Sequence, residues 1–248
     1  DRSSAASDVY KRQAGHATRA NLFSMSYTTA YLLCIAAFIF AVVCSINVKS
    51  TFNKYDRIAS RRGVTAAQAA RQILDRNGLY YVQVQRIAGN LTDNYNPKTN
   101  IVSLSDSVYD SSSLAAIGVA AHECGHAVQH ATGYVPNEIR SAVFPIARLG
   151  STLYFYVFLL GIIFSFEPLV DIGIIMFAFV VLFQLVTLPV EFNASRRAML
   201  TLSSEGLLEQ DELYGARRTL TAAAMTYVAS LAVSVTQLLR MLASRNRR

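Results

Sequence analysis

Four stretches of the chain carry no charge and are apolar enough to cross a bilayer core, which takes about 20 such residues and about 17 at the short end. They are residues 27–46 (YTTAYLLCIAAFIFAVVCSI), 149–166, 172–190 and 219–239. Only EPLVD, residues 167–171, separates the second from the third. That spacing predicts a helical hairpin with Glu167, Pro168 and Asp171 in its turn. The fourth, TLTAAAMTYVASLAVSVTQLL, is rich in Ala, Ser and Thr. Small residues suit a span packed tightly against other helices, and they equally suit a helix in a soluble core.

Between the first and second stretches the pattern changes. TAAQAARQILDRN (65–77) has helical periodicity, with Thr65 as N-cap and Gly78 as stop signal. YYVQVQR (80–86) alternates like a strand, residues 101–104 form a second strand candidate, and DNYNP at 93–97 is turn chemistry. The serines at 111–113 can cap a helix over LAAIGVAAHECGHAVQHA (114–131). That helix is apolar apart from one cluster.

Composition agrees with a membrane protein. Hydrophobic residues make up 52% and charged residues 16%, against about a quarter charged in soluble domains. This balance excludes a disordered chain. The net charge is +7, but the basic residues are scattered or flank apolar runs, which argues against nucleic acid as a partner. Three cysteines cannot make a disulfide scaffold; Cys34 and Cys44 fall in the first span, facing lipid or other helices. SSAASDVYKRQ (3–13) matches a translated sequencing-library adaptor, so residues 1–24 are set aside as a non-native leader, with Met25 the first plausible start.

Lys and Arg near the span ends set orientation. Lys49, Lys54, Arg57, Arg61, Arg62, Arg140, Arg148, Arg196, Arg197, Arg217 and Arg218 place the segments 47–148 and 191–218 on the cytoplasmic side. Arg240, Arg245, Arg247 and Arg248 count against this if the fourth stretch spans.

His122-Glu123-Cys124-Gly125-His126 is an H-E-x-x-H sequence on the predicted 114–131 helix. A spacing of i, i+4 turns about 400°, so both imidazoles leave one face one turn apart. They can then share one Zn²⁺, while Glu123 reaches water beside the metal and acts as general base. Such a pattern arises by chance in roughly one chain per hundred of this length. Two His and a Glu in an apolar helix, however, are costly to bury without partners. Cys124 faces away and reads as core packing.

A catalytic zinc needs a third protein ligand and an open position. Residue 132, where a metzincin-like third His would stand, is Thr132, and His130 lies too far along the axis to share the metal. Glu191, in PVEFNASRR at the end of the third stretch, is the better candidate. The hairpin between His126 and Glu191 crosses the membrane twice, so both return to one face. Arg196 and Arg197 read as surface anchors or as binders of a substrate carboxylate or oxyanion. Tyr95 and Tyr134 are open candidates for an oxyanion donor. A strand at 101–104 is a candidate edge for pairing with an extended peptide.

The chain resembles the YugP-like bacterial membrane proteins, a family of neutral zinc metallopeptidases. The likeness runs from about Val48 to the C-terminus through VKSTFNKY, AARQILDRNGL, LTDNYNPKTNIVSLSDSVY, AAHECGHAVQHATGY and PVEFNASRRA. It implies a multi-pass membrane protein with a gluzincin-type site. His122 and His126 match the zinc-binding pair, Glu123 the catalytic Glu, and Glu191 is similar to the third-ligand Glu of other membrane zinc peptidases. Asn94 stands where the family pattern leads us to expect His, and Asn193 where it leads us to expect Asp.

The expected fold is mostly α: multi-pass transmembrane helices with a small α+β zincin-like domain carrying the HExxH helix. Its parts are the leader (1–24), a first transmembrane helix (25–46), a cytoplasmic domain (47–148), a transmembrane hairpin (149–190), a third-ligand segment (191–218) and a transmembrane or membrane-packed helix (219–242). The expected function is hydrolysis of peptide bonds in a peptide or protein substrate, with one catalytic Zn²⁺, in a bacterial cell membrane. A membrane scaffold or chaperone-like protein with a structural zinc is the alternative. A transporter is disfavoured, because the spans carry almost no ionisable residues.

Overall fold

The structure is a computed structural model and describes residues 27–245. The leader, Met25, Arg247 and Arg248 lie outside the described residues. Six helices and three short strands follow in order among those described: α1 (Tyr27–Tyr55), α2 (Ala66–Arg76), β1 (Gln83–Ile87), β2 (Asn94–Asn96), β3 (Ile101–Ser105), α3 (Leu114–Ala131), α4 (Val135–Ile163), α5 (Glu167–Ser204) and α6 (Leu213–Arg245). Of these, α1, α4, α5 and α6 are long and apolar enough to cross a membrane. Their outward faces expose large apolar side chains, among them Phe38, Ile39, Phe155 and Ile175.

Each long helix outruns the uncharged stretch that announced it. α1 continues through VKSTFNKY, and α5 runs on past Glu191 to Ser204. Glu191 therefore sits inside a helix rather than just beyond one. The hairpin turn is also tighter than the sequence suggests. Ser165 takes a left-handed φ of 52°, and the Phe166 amide donates to the Gly161 carbonyl at 2.9 Å. This closes α4 with a Schellman-type turn. Glu167, Pro168 and Asp171 thus belong to the first turns of α5 and not to the connection. Pro168 needs no amide partner there, which makes it a good starter.

The two arms of this hairpin touch closely. A Cβ on Gly161 would lie 2.6 Å from the Val170 amide nitrogen. α6 runs back alongside. Its Arg245 pairs with Asp171, Nη2 to Oδ2 at 2.9 Å, so its C-terminal end lies at the hairpin turn. The fourth stretch is consequently part of a helix that runs the length of the bundle. Cys44 is buried and Cys34 half-buried in α1.

At the other end of the bundle, α2, the sheet and α3 gather. Thr65 and Gln68 form a reciprocal capping box on α2. Ser113 caps α3: its hydroxyl accepts from the Ala116 amide at 3.1 Å and donates to Asp56 Oδ1 at 2.7 Å. That second bond ties the start of α3 to the segment following α1. The sheet order is β1-β3-β2, with β1 parallel and β2 antiparallel to β3. β1 starts at Gln83, leaving Tyr80 and Tyr81 exposed before it. Residues 94–96, expected in a turn, are the strand β2, because Tyr95 pairs in register with Val102. β3 is central, so it has no free edge for a peptide; β1 and β2 are the edge strands.

One apolar core joins this end to the bundle. Ile73, Leu74, Val102, Leu104, Ile117 and Cys124 pack with Ala198 and Leu202 of α5 and Ala216 of α6. The small domain is thus not closed on itself; the ends of the long helices complete it.

Candidate metal centre

α3 supplies two imidazoles and α5 a carboxylate. His122 Nε2 lies 3.3 Å and His126 Nε2 3.6 Å from Glu191 Oε2. One ligand atom from each of the three residues falls within 4.8 Å of the others. The approach of the two helices makes this convergence. A Cβ on Gly125 would stand 2.7 Å from the Ala194 carbonyl oxygen, so only glycine lets α3 and α5 meet backbone to backbone here. Glu191 is 2% exposed.

The neighbouring side chains fix the ring nitrogens. Gln129, fully buried, donates its amide to the Val190 carbonyl at 2.8 Å and to Asn193 Oδ1 at 3.0 Å. Its Oε1 therefore faces His126 Nδ1 at 3.0 Å and must accept. Nδ1 then holds the proton, and Nε2 offers its lone pair. Ser195 Oγ sits 3.1 Å from His122 Nδ1 and can accept a proton held there. The outer oxygen of Glu191, Oε1, accepts from Arg140 Nη1 at 3.2 Å. Arg140 reaches it because Gly133, at φ 59°, ends α3 and turns the chain into α4.

These donors fit zinc. Two imidazole nitrogens and one carboxylate oxygen are a common catalytic zinc set, and bonds of about 2.0–2.1 Å in a tetrahedron put ligand atoms about 3.3–3.4 Å apart. The contacts from Glu191 Oε2 approach that spacing. Among the described residues no fourth such ligand joins the group.

The site opens into a cavity of about 260 Å³ bounded by α1, the segment before β2, α3, α5 and α6. Glu123 and Asp93 both line it, as does Tyr227. Burial pushes the Glu123 carboxyl above the usual carboxylate range, against the pull of His126 and His122. Burial does the same to Asp93, opposed by hydrogen bonds from the Ser105 amide and hydroxyl.

Other candidates lie elsewhere. Cys124 is buried against α2, its Sγ 3.6 Å from the Ala70 carbonyl, and burial raises its thiol pKa. His130 turns to Tyr95, whose hydroxyl is 2.9 Å from Nδ1. Tyr95 also donates to Asn100 at 3.1 Å. Asn94 lies in β2 and donates to the Thr92 carbonyl at 2.9 Å. Arg197 bonds Asn193 at 2.8 Å and lies over the Tyr134 ring, while Arg196 is exposed along a neighbouring groove that shares Ser195, Leu220 and Ala224 with the metal-site cavity. Sequence reasoning missed Gln129, Ser195 and Arg140 as partners of the site. Gln129 stands three residues after His126 and Ser195 four after Glu191, so helical spacing could have flagged both. Arg140 carries no such signal.

Comparison with known proteins points to a family. A family described as "Putative neutral zinc metallopeptidase" matches residues 30–246. The chain is 45% identical over 208 residues to the "Putative membrane protease YugP" of Bacillus subtilis (strain 168), covering 84% of this chain and 92% of that protein. No solved structure shows a significant match. With its length matched almost throughout and a zinc-competent donor set at its centre, the chain belongs to the neutral zinc metallopeptidase family.

Proposed function

We propose that the protein is a membrane-embedded zinc-dependent peptidase whose one catalytic zinc is held by His122, His126 and Glu191 in gluzincin fashion. The observation that carries this reading is the convergence of those three donors, two of which, His122 and Glu191, line one cavity with Glu123. When bound, the zinc supplies Lewis acidity toward water and the scissile carbonyl. Glu123 takes a proton from the attacking water and passes it to the leaving amine as the C–N bond breaks. One water is consumed, and a carboxylate and an amine are released. Gln129 keeps His126 in the metal-binding tautomer, Ser195 can accept from His122 Nδ1, and Arg140 leaves Glu191 only Oε2 to offer.

The long helices α1, α4, α5 and α6 are the membrane spans of this reading, in a bacterial cell membrane. Segments 47–148 and 191–218 form the cytoplasmic side with the active site, and 149–190 is the hairpin between them. A scaffold with a structural zinc is the rival. Structural sites are closed by four protein ligands, whereas here three donors gather, two of them lining a cavity, and a position is left open.

Zinc content and peptide hydrolysis, measured side by side on purified protein, test the proposal. Wild type should hold one zinc and cleave. Glu123→Gln should keep zinc and lose cleavage, and Glu191→Ala should lose zinc affinity. Equal zinc in all three with no cleavage of any peptide or unfolded protein would sink the peptidase reading.

A further inference from the structure

A second cavity, of about 400 Å³, lies between α4, α5 and α6 and shares Tyr227 with the metal-site cavity. That volume is within the range of ligand sites, about 300–1,000 Å³. Its walls include Phe144, Ala147, Val180 and Phe183. Three of its polar side chains are already engaged within the protein. Gln184 donates to Ser234 at 2.9 Å, Thr187 to the Phe183 carbonyl at 2.7 Å, and Ser151 to the Arg148 carbonyl at 2.9 Å. Arg140 and Arg148 also stand in its lining, but most of the surface an occupant meets is apolar.

The cavity adjoins the metal centre directly. Thr187 precedes Glu191 by four residues, about 6 Å along α5 at 1.5 Å per residue. Arg140 lines the cavity and also bonds Glu191. An extended peptide advances about 3.4 Å per residue. A substrate with its scissile bond at the metal would thus bring a side chain one to three positions away to this opening.

We propose that this cavity is a specificity subsite that takes a large apolar side chain, of leucine or phenylalanine type, close to the scissile bond of a peptide substrate. The proposal rests on the peptidase reading and adds to it a substrate class: apolar segments rather than polar, Gly-rich or charged ones. A lipid acyl chain is the rival occupant. The substrate is favoured because the cavity shares the Tyr227 wall with the catalytic one and begins one turn from a ligand.

The test uses the zinc-loaded full chain in detergent and a mixed peptide library read by mass spectrometry, then kcat/KM on matched Ala, Leu and Phe peptides. Wild type should favour Leu or Phe over Ala at one position by at least about tenfold, the lower end of what an apolar pocket discriminates. Ser230→Phe, which places a ring on the cavity wall, should bring that ratio to one or below. Val180→Ala, which enlarges the cavity, should raise Phe relative to Leu. Zinc content of each variant reports that the metal site has survived. If wild type cleaves and neither variant changes the ratio, the subsite proposal falls while the peptidase reading stands. A lipid displaced by Ser230→Phe with the ratio unchanged overturns it in favour of an acyl chain. Wild type that cleaves nothing overturns both.

Discussion

Arg140 and Glu191 meet oxygen by oxygen: the guanidinium takes Oε1 at 3.2 Å, while Oε2 alone faces the two imidazoles. A buried carboxylate with one unpaired oxygen would be free to rotate or to bind the metal through both. Arg140 removes that freedom.

Arg140→Ala should therefore weaken zinc binding by about 10–100-fold, the usual cost of losing a side chain that supports a metal ligand. Arg140→Lys should recover part of the loss, since it restores a charge without the planar fork. Competition with a chromogenic zinc chelator reads both. Unchanged affinity in Arg140→Ala would mean that Glu191 is oriented by its backbone and the imidazoles alone.

Gly125→Ala should destabilise the protein by about 1–3 kcal/mol, the typical cost of overpacking. The added methyl would stand 2.7 Å from the Ala194 carbonyl, backbone that has nowhere to move without shifting α5. Because the same contact sets the separation of His126 and Glu191, zinc affinity should fall together with the thermal midpoint. A lower midpoint with full zinc affinity would show that α5 can shift without moving its carboxylate.

Tyr95 gives a pH dependence at the alkaline end. Burial, with Tyr81 adding to it, pushes its hydroxyl up to about 12 from an ordinary 10.0. Between those values the unfolded chain releases a proton that the folded chain retains. Stability then falls as pH rises through this window. The contribution is fully present below pH 10. Tyr95→Phe should flatten that part of the profile, seen as a smaller drop in denaturation midpoint between pH 9.5 and about 12 than wild type shows. Identical profiles would place the Tyr95 hydroxyl in water.

How much of this was legible in the sequence depends on the range of the interaction. α3 runs over 114–131 as its apolar run and Ser113 cap dictate, since helix caps are local signals. The pairing of the HExxH helix with Glu191 was reachable by topology: a hairpin that leaves and returns brings distant residues to one end. β2 was hidden because three polar residues beside a proline look like a turn, and only pairing with β3 makes them a strand. The connection between α4 and α5 was misplaced because Pro168 breaks helices in their middle and starts them at their first turn. Arg140 was visible only as a charge. Its role exists solely where α4 crosses α5, and no spacing along the chain encodes that crossing.

The two halves of the donor set stand on either side of the α4–α5 turn, with His126 before α4 and Glu191 within α5. During synthesis the ribosome delivers the imidazoles and Glu123 first, and the third donor only 65 residues after His126. In the proposed site, a nascent chain that has not yet folded its hairpin holds an unfinished centre and has no means of cutting its neighbours. Competence arrives only when α5 has come back to lie against Gly125. In the proposed site, the long insertion between the ligands thus puts off a complete donor set until α5 has been made and packed.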